Sequence, residues 1–338
     1  MARRPVHADR AAHLTAAAVA VLALAACSAP PRTTATGSPT PSAVAAPSPS
    51  GSPSPSGSPS SGPPAHIVVV VFENKSYRQV TQSGQAPWLH DLMANSLVFT
   101  DSHAVTHPSQ PNYLALFSGS AQGVTDDHCP VSLGDRPNLA RQLMDAGLGF
   151  VGYAEELPGA GSHACGAGGY AAKHNPWADF ANVPSSANQP FSAFPSTFDS
   201  LPTVSFVVPN LCHDMHDCSV GTGDTWAAEH LDGYRRWAGS HRSLLVVTFD
   251  EDDNTPANQI LTLVAGAGVR PGQYPQRVDH YAVLRAIEDC YGLPALGAAA
   301  SAPRIGICQP GTSSSPLDVN SARSAAVMVP TSASRDSA

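Results

Sequence analysis

His66-Ile-Val-Val-Val-Val-Phe72 runs without a break into Glu73-Asn74-Lys75-Ser76. A continuous, mostly β-branched run of this length predicts a strand buried on both faces, as in a parallel sheet. Ligand-type side chains, Glu73 and Asn74, then sit at its C-terminal end, the edge of an open α/β sheet where sites form. Ser243-Leu-Leu-Val-Val-Thr-Phe249 repeats the pattern and ends in Asp250-Glu251-Asp252-Asp253. A third run, Thr203-Val-Ser-Phe-Val-Val208, leads into Pro209-Asn-Leu-Cys-His-Asp-Met-His-Asp-Cys218. Outward from these, strands are predicted over 97–100, 150–153 and 259–264, with helices over 87–95, 138–146, 224–237 and 280–291. Alternation of this kind predicts an α/β fold, a mostly parallel sheet sandwiched between helices. The stretch 157–202 is rich in Gly, Pro, Ser and Asn and is expected to form loops over the site.

The segment Ala104-Val-Thr-His-Pro-Ser-Gln-Pro-Asn-Tyr-Leu-Ala-Leu-Phe-Ser-Gly119 starts polar and turns apolar from Tyr113. Pro111 can open a helix in its first turn and Gly119 can close it. Ser109 then stands just ahead of a helix N-terminus, where free N–H groups and the helix dipole favour an anion. It reads either as an N-cap or as a nucleophile facing an anionic substrate.

Two buried strands ending in Glu73-Asn74 and Asp250-Glu251 can converge at one layer of the fold. Three carboxylates and an amide oxygen, without cysteine, suit a hard divalent cation such as calcium, magnesium or manganese. Carboxylates brought together would otherwise repel each other. The competing reading of Asp250 to Asp253 is a solvated acidic turn. His213 and His216 flank Asp214, and a Cys212–Cys218 bridge would hold both imidazoles as phosphate contacts, general acids or metal ligands. The plain alternative is a pair of exposed loop histidines.

The chain opens with Arg3, Arg4 and Arg10, followed by an apolar run over 14–26, too short to span a bilayer and read as a secretory signal over 1–26. Leu24-Ala-Ala-Cys27 resembles a bacterial lipobox, which would make Cys27 a lipid anchor to a membrane; ordinary signal cleavage is the alternative. Residues 27–64 form a Ser/Pro-rich tether unable to bury a core, and 311–338 a disordered tail. Residues 65–310 are long enough for one sizeable α/β domain. The net charge is −8 and the only lysines are Lys75 and Lys173, so no nucleic acid partner is expected. Six cysteines beyond Cys27 in an exported chain point to three disulfides, which sequence neighbours pair as Cys129–Cys165, Cys212–Cys218 and Cys290–Cys308. A Cys/His zinc site is the competitor and lacks close CxxC spacing here.

Five segments in order, Val71-Phe-Glu-Asn-Lys-Ser76, His107-Pro-Ser-Gln-Pro-Asn-Tyr113, Pro209 to His216, Thr248-Phe-Asp-Glu-Asp-Asp253 and His280 to Glu288, resemble the phosphoesterase family. That family groups acid phosphatases with phospholipases C within the alkaline phosphatase superfamily. The likeness covers about 67–293 and is closer to the secreted acid-phosphatase branch. The Asp-Glu-His-Pro pattern of the phospholipase branch stands here as Asp214-Met215-His216-Asp217. The resemblance implies an alkaline-phosphatase-like fold and a phosphate ester substrate. It implies Ser109 as nucleophile and metal ligand, and Glu73, Asn74, Asp250 and Glu251 as the other metal ligands. Asn112 would contact a phosphate oxygen, and His216 would grip the phosphate or protonate the leaving group. His213, His107 and His280 are weaker candidates for substrate binding, and Lys173-His174 shares the likeness without a role. The expected activity is a metal-dependent phosphomonoesterase; a phosphodiesterase or phospholipase C, and a non-catalytic tethered binding lipoprotein, are the alternatives.

Overall fold

The computed structural model describes residues 62–308. The expected signal, the lipobox at Cys27, most of the tether and the C-terminal tail lie outside the described residues. In chain order the elements are β1 (His66–Phe72), α1 (Tyr77–Thr81), α2 (Pro87–Ala94), β2 (Leu97–His103), α3 (Ser109–Ser118), α4 (Leu139–Asp145), β3 (Phe150–Ala154), β4 (Gly166–Ala167), β5 (Tyr170–Ala171), β6 (Asn188–Pro190), β7 (Val204–Val208), α5 (Val220–Ala238), β8 (Ser243–Phe249), β9 (Thr262–Gly266), β10 (Gly272–Asp279) and α6 (His280–Cys290).

Eight strands form one sheet in the order β10-β2-β9-β8-β1-β7-β3-β6, with β1 flanked in parallel by β7 and β8. Only β9 runs antiparallel to its neighbours, β2 and β8. The β-branched run of β1 explains its central place, because successive side chains alternate between two buried faces. Ile67, Val69 and Val71 pack into one core with residues of α3, α4 and α6. Val68, Val70 and Phe72 pack into the other with residues of α1, α2 and α5. The result is the predicted mostly parallel sheet between two helical layers.

The sequence predicts Ser109 just ahead of the helix that Gly119 closes, but α3 begins at Ser109, with Pro108 at the N-cap. Pro111 becomes its third residue, still within the turn where no intrahelical N–H bond is lost. Gly119 ends the helix in the left-handed conformation, φ +70°. Strand β10 was not anticipated. It is a largely exposed edge strand whose register with β2 shifts between Tyr274 and Arg277, around Pro275, so it carries little of the apolar pattern of a buried strand. The stretch 157–202 is mostly irregular, as expected, with the β4–β5 hairpin, short 3-10 turns and β6.

The three disulfides are Cys129–Cys165, Cys212–Cys218 and Cys290–Cys308. Among the described residues no helix is long and apolar enough to cross a membrane.

Candidate active site

Strands β1, β2, β3, β7, β8 and β10 all point their C-terminal ends at one edge of the sheet, as their mutual pairing requires. Phe72 of β1 is in register with Phe249 of β8, so Glu73 and Asp250 leave the sheet side by side. The Asp250 N–H donates to the Phe72 carbonyl at 2.9 Å. Asn74 turns the chain with φ +50°, a conformation asparagine tolerates, and its N–H donates to Asp250 Oδ1 at 3.1 Å.

After β2, the loop 104–108 delivers Ser109 to the same place. The Ser109 hydroxyl lies 3.1 Å from Glu73 Oε2 and 3.2 Å from Glu251 Oε1, the two acceptors its proton can serve. After β7, the Cys212–Cys218 loop brings in Asp214, whose carbonyl accepts from the Glu73 N–H at 2.7 Å. The β4–β5 hairpin leads to a 3-10 turn, Ala172–His174. Buried there, His174 sets Nε2 3.1 Å from Glu73 Oε1 and Nδ1 3.2 Å from Asp214 Oδ2. Its ring stacks on Tyr113, centroids 5.2 Å apart, and the Tyr113 hydroxyl donates to Glu73 Oε1.

Glu73, Asp214, Asp250 and Glu251 are 0, 0, 1 and 6 % exposed, so four acids share a site nearly closed to water. Burial pushes the Glu73 carboxyl well above its ordinary range, and the charges of Asp250 and Asp214 add to the effect. Burial, then the neighbouring Glu251 charge, raises Asp250; burial raises Asp214 and Glu251. Burial also drives His174 well below the usual imidazole range, with the Lys173 charge acting the same way. A protein can hold such a cluster with protons or with a cation.

The donors fit a cation. The buried oxygens Asn74 Oδ1 and Asp250 Oδ2 have no hydrogen-bond partner, and Ser109 Oγ, Glu73 and Glu251 complete an oxygen-only set beside them. On the far side of Glu73, one ligand atom each from Glu73, His174 and Asp214 lies within 4.8 Å of the others, and His174 Nε2 and Asp214 Oδ2 likewise lack hydrogen-bond partners. The two groups of donors share Glu73.

The histidines and Asn112 occupy places that spacing alone does not reveal. Asn112 is fully buried; its Oδ1 accepts from the N–H groups of Val105 and Thr106, both at 3.0 Å. Its Nδ2 donates to the carbonyls of Thr106 and Pro108 at 2.8 and 3.0 Å. Every donor of the side chain is in use and its oxygen carries two bonds, so Asn112 clamps the loop before Ser109 instead of offering a group to phosphate.

His107 Nδ1 meets Glu251 Oε2, and its Nε2 lies 3.2 Å from the Thr255 carbonyl. Burial alone would lower its pKa; the bonds to Glu251 and Thr255 and the charges of Glu251 and Asp252 raise it overall. His280, buried at the start of α6, sets Nε2 2.6 Å from the Asp250 carbonyl, bracing that main chain rather than facing a substrate. His213 turns away from Ser109. Its Nδ1 is 2.9 Å from Glu155 Oε2, and it lines a cavity of about 550 Å³ with Gln85, Trp226 and His230 to which none of the Ser109 cluster contributes.

His216 stays near the site, with Nδ1 2.7 Å from Asp217 Oδ1 and Nε2 3.2 Å from Lys173 Nζ. An ammonium can only donate, so Nε2 accepts and Nδ1 carries the ring proton. In this arrangement the His216 nitrogen facing Lys173 accepts a hydrogen bond.

The sequence model of the phosphoesterase family matches residues 82–294. A phosphatidylinositol-3-phosphatase of Mycobacterium tuberculosis is 50 % identical over 243 residues, covering 71 % of this chain and 81 % of that protein. The chain belongs to the phosphoesterase family. An acid phosphatase of Aspergillus fumigatus is 26 % identical over 256 residues, 68 % of this chain and 55 % of its own length, so the chain spans little more than half of that relative. In fold, a protein of the alkaline phosphatase superfamily from Vibrio parahaemolyticus superposes with a TM-score of 0.51 at 12 % identity, covering 72 % of this chain and 71 % of that one. This phosphoesterase is therefore a hydrolase of phosphoric ester bonds on an alkaline-phosphatase-like α/β fold.

Sequence reasoning left four residues of the phosphoesterase site without a role: Tyr113 and His174 on Glu73, and Asp127 and Lys173 beside α3. Asp127 Oδ1 accepts from the Gln110 N–H at 2.9 Å and its Oδ2 lies 3.0 Å from Lys173 Nζ. The signal for Lys173 and His174 in the sequence is their share in the family likeness, and the structure brings both lysines to this edge. Lys75 donates to the Met215 carbonyl at 2.6 Å and holds the disulfide loop.

Proposed function

We propose that this phosphoesterase is an exported, metal-dependent phosphomonoesterase of the acid-phosphatase type with Ser109 as its nucleophile. The observation that carries the reading is the Ser109 hydroxyl at the first turn of α3, between Glu73 Oε2 at 3.1 Å and Glu251 Oε1 at 3.2 Å. Glu73, Asn74, Ser109, Asp250 and Glu251 would hold one divalent cation, which when bound lowers the hydroxyl pKa and offsets charge on the phosphoryl group.

The hydroxyl proton passes to one of the two carboxylates as Oγ bonds to phosphorus. The ester P–O bond breaks and the alcohol leaves with a proton from solvent. Water then attacks the phosphoserine, frees phosphate and restores Ser109. His107 orients Glu251, and His280 and Asn112 hold the main chain on either side. His174 and Asp214 back Glu73, either through their own contacts or around a second bound ion. The name of the Mycobacterium tuberculosis relative recommends a phosphoinositide 3-phosphate as a lipid monoester substrate. Export agrees with the three disulfides, and a lipid anchor at Cys27 would keep the domain at a membrane.

The test is turnover of p-nitrophenyl phosphate and of phosphatidylinositol 3-phosphate, with and without chelator, beside Ser109→Ala. Metal-dependent release of phosphate that disappears in Ser109→Ala is expected. A Ser109→Ala protein as active as the parent overturns the nucleophile, and activity indifferent to chelation and to Asp250→Asn overturns the metal site. Preference for bis-p-nitrophenyl phosphate would instead select the phosphodiesterase.

A further inference from the structure

We propose that Lys173 is a phosphoryl-binding residue of this site, its ammonium aimed by Asp127 at a non-bridging oxygen of the group that Ser109 attacks. The assignment rests on the reading of Ser109 as nucleophile. Lys173 sits in the 3-10 turn Ala172–His174, its side chain 19 % exposed, so the stem is packed and the head is confined. Two of its three N–H directions are accounted for, by Asp127 Oδ2 at 3.0 Å and His216 Nε2 at 3.2 Å. The third is available to a ligand oxygen.

The same Asp127 carboxylate accepts the N–H of Gln110, the residue after Ser109. The ammonium is thus tied, through one carboxylate, to the first turn of the helix that carries the nucleophile. The Cys129–Cys165 bridge joins the loop bearing Asp127 to the hairpin that leads into Lys173 and braces the pair from outside. The other lysine is engaged differently, because Lys75 donates to the Met215 carbonyl. A compact point charge beside a serine at a helix N-terminus suits a phosphate monoester dianion.

The test uses the full chain loaded with its divalent cation, and inorganic phosphate as the probe. Lys173→Met is expected to weaken competitive inhibition by phosphate and raise KM for p-nitrophenyl phosphate by about 10- to 100-fold. Lys173→Arg should recover most of the loss. Asp127→Asn, which keeps the Lys173 ammonium but removes the carboxylate that aims it, should fall between. Because the chain has two lysines, wild-type protein supplies a second measurement. Phosphate should slow reductive methylation of Lys173, read by mass spectrometry, and leave Lys75 unchanged. Unaltered phosphate inhibition in Lys173→Met with only a lower Tm, or equal methylation of Lys173 with and without phosphate, overturns the assignment in favour of a structural ion pair. A wild type that neither hydrolyses the ester nor binds phosphate overturns the phosphomonoesterase reading itself, and this assignment with it.

Discussion

Replacing Asn112 by alanine separates two roles for the same side chain. In the family resemblance it contacts phosphate; in the structure it makes four hydrogen bonds, at 2.8 to 3.0 Å, to the main chain of Val105, Thr106 and Pro108. The side chain is fully buried, so its loss strands two N–H groups and two carbonyls. At about 0.5–1.5 kcal/mol for each neutral bond, the expected loss is about 2–6 kcal/mol. For a domain of this size each kcal/mol moves Tm by roughly 2–4 °C, so even the low end is measurable. Thermal melting of metal-loaded wild type and Asn112→Ala reads the stability, and p-nitrophenyl phosphate kinetics with phosphate inhibition read the site. The expected outcome is a Tm lower by several degrees or more and a reduced kcat, since the loop that aims Ser109 is loosened, with phosphate inhibition little changed. Asn112→Asp should be no more stable than Asn112→Ala, because its second oxygen would face the Thr106 and Pro108 carbonyls in a buried place. An unchanged Tm combined with weaker phosphate inhibition would refute the clamp and restore the phosphate contact.

Asp224, buried in α5, accepts from the N–H groups of Trp88 and Leu89 and so caps α2, which has no side-chain cap of its own. Asp224→Ala should lower stability by about 3 kcal/mol or more, read by denaturant melting, and leave KM unchanged. Tyr113→Phe removes the hydroxyl that steadies Glu73 and is expected to weaken divalent-cation binding about 10- to 100-fold, read by calorimetry; an unchanged affinity would remove Tyr113 from the support of the site. Burial raises Asp214 and Asp250 from 3.8 to about 7, so folding favours their protonated forms. The metal-stripped protein should therefore lose stability as pH rises from about 4 through 7, and added cation should raise Tm more at pH 8 than at pH 5. A Tm of the stripped protein that is flat across this range would contradict the buried acid cluster.

What could be read from the sequence is what a short local pattern carries. The runs 66–72 and 243–249 are strands because their side chains have apolar surroundings on both faces, and the acids that follow them are placed by the register of the strands. Their convergence needed no knowledge of the loops. Strand β10 escaped because an exposed edge strand interrupted at Pro275 has no such pattern. His174 escaped for a different reason: it stands in a loop-rich stretch, where a histidine has no periodicity and its place depends on the path of the whole segment.

The disulfide loop shows the limit most closely. His213 and His216 lie three residues apart inside one Cys212–Cys218 bridge, and spacing made them equivalent. The chain between them passes through Asp214, whose carboxylate faces His174 and whose carbonyl binds Glu73, and through Met215, with φ +82°. That turn sends His213 to Glu155 and Trp226 and leaves His216 beside Lys173. The turn at Met215 therefore sets the two histidines apart, and Glu73, beside Asp214, is the carboxylate that Ser109, Tyr113 and His174 all meet. Residues that bear on Glu73 should accordingly couple: changing Tyr113, His174 and Asp214 in pairs should lower activity non-additively, whereas changing Lys173 should act on phosphate binding.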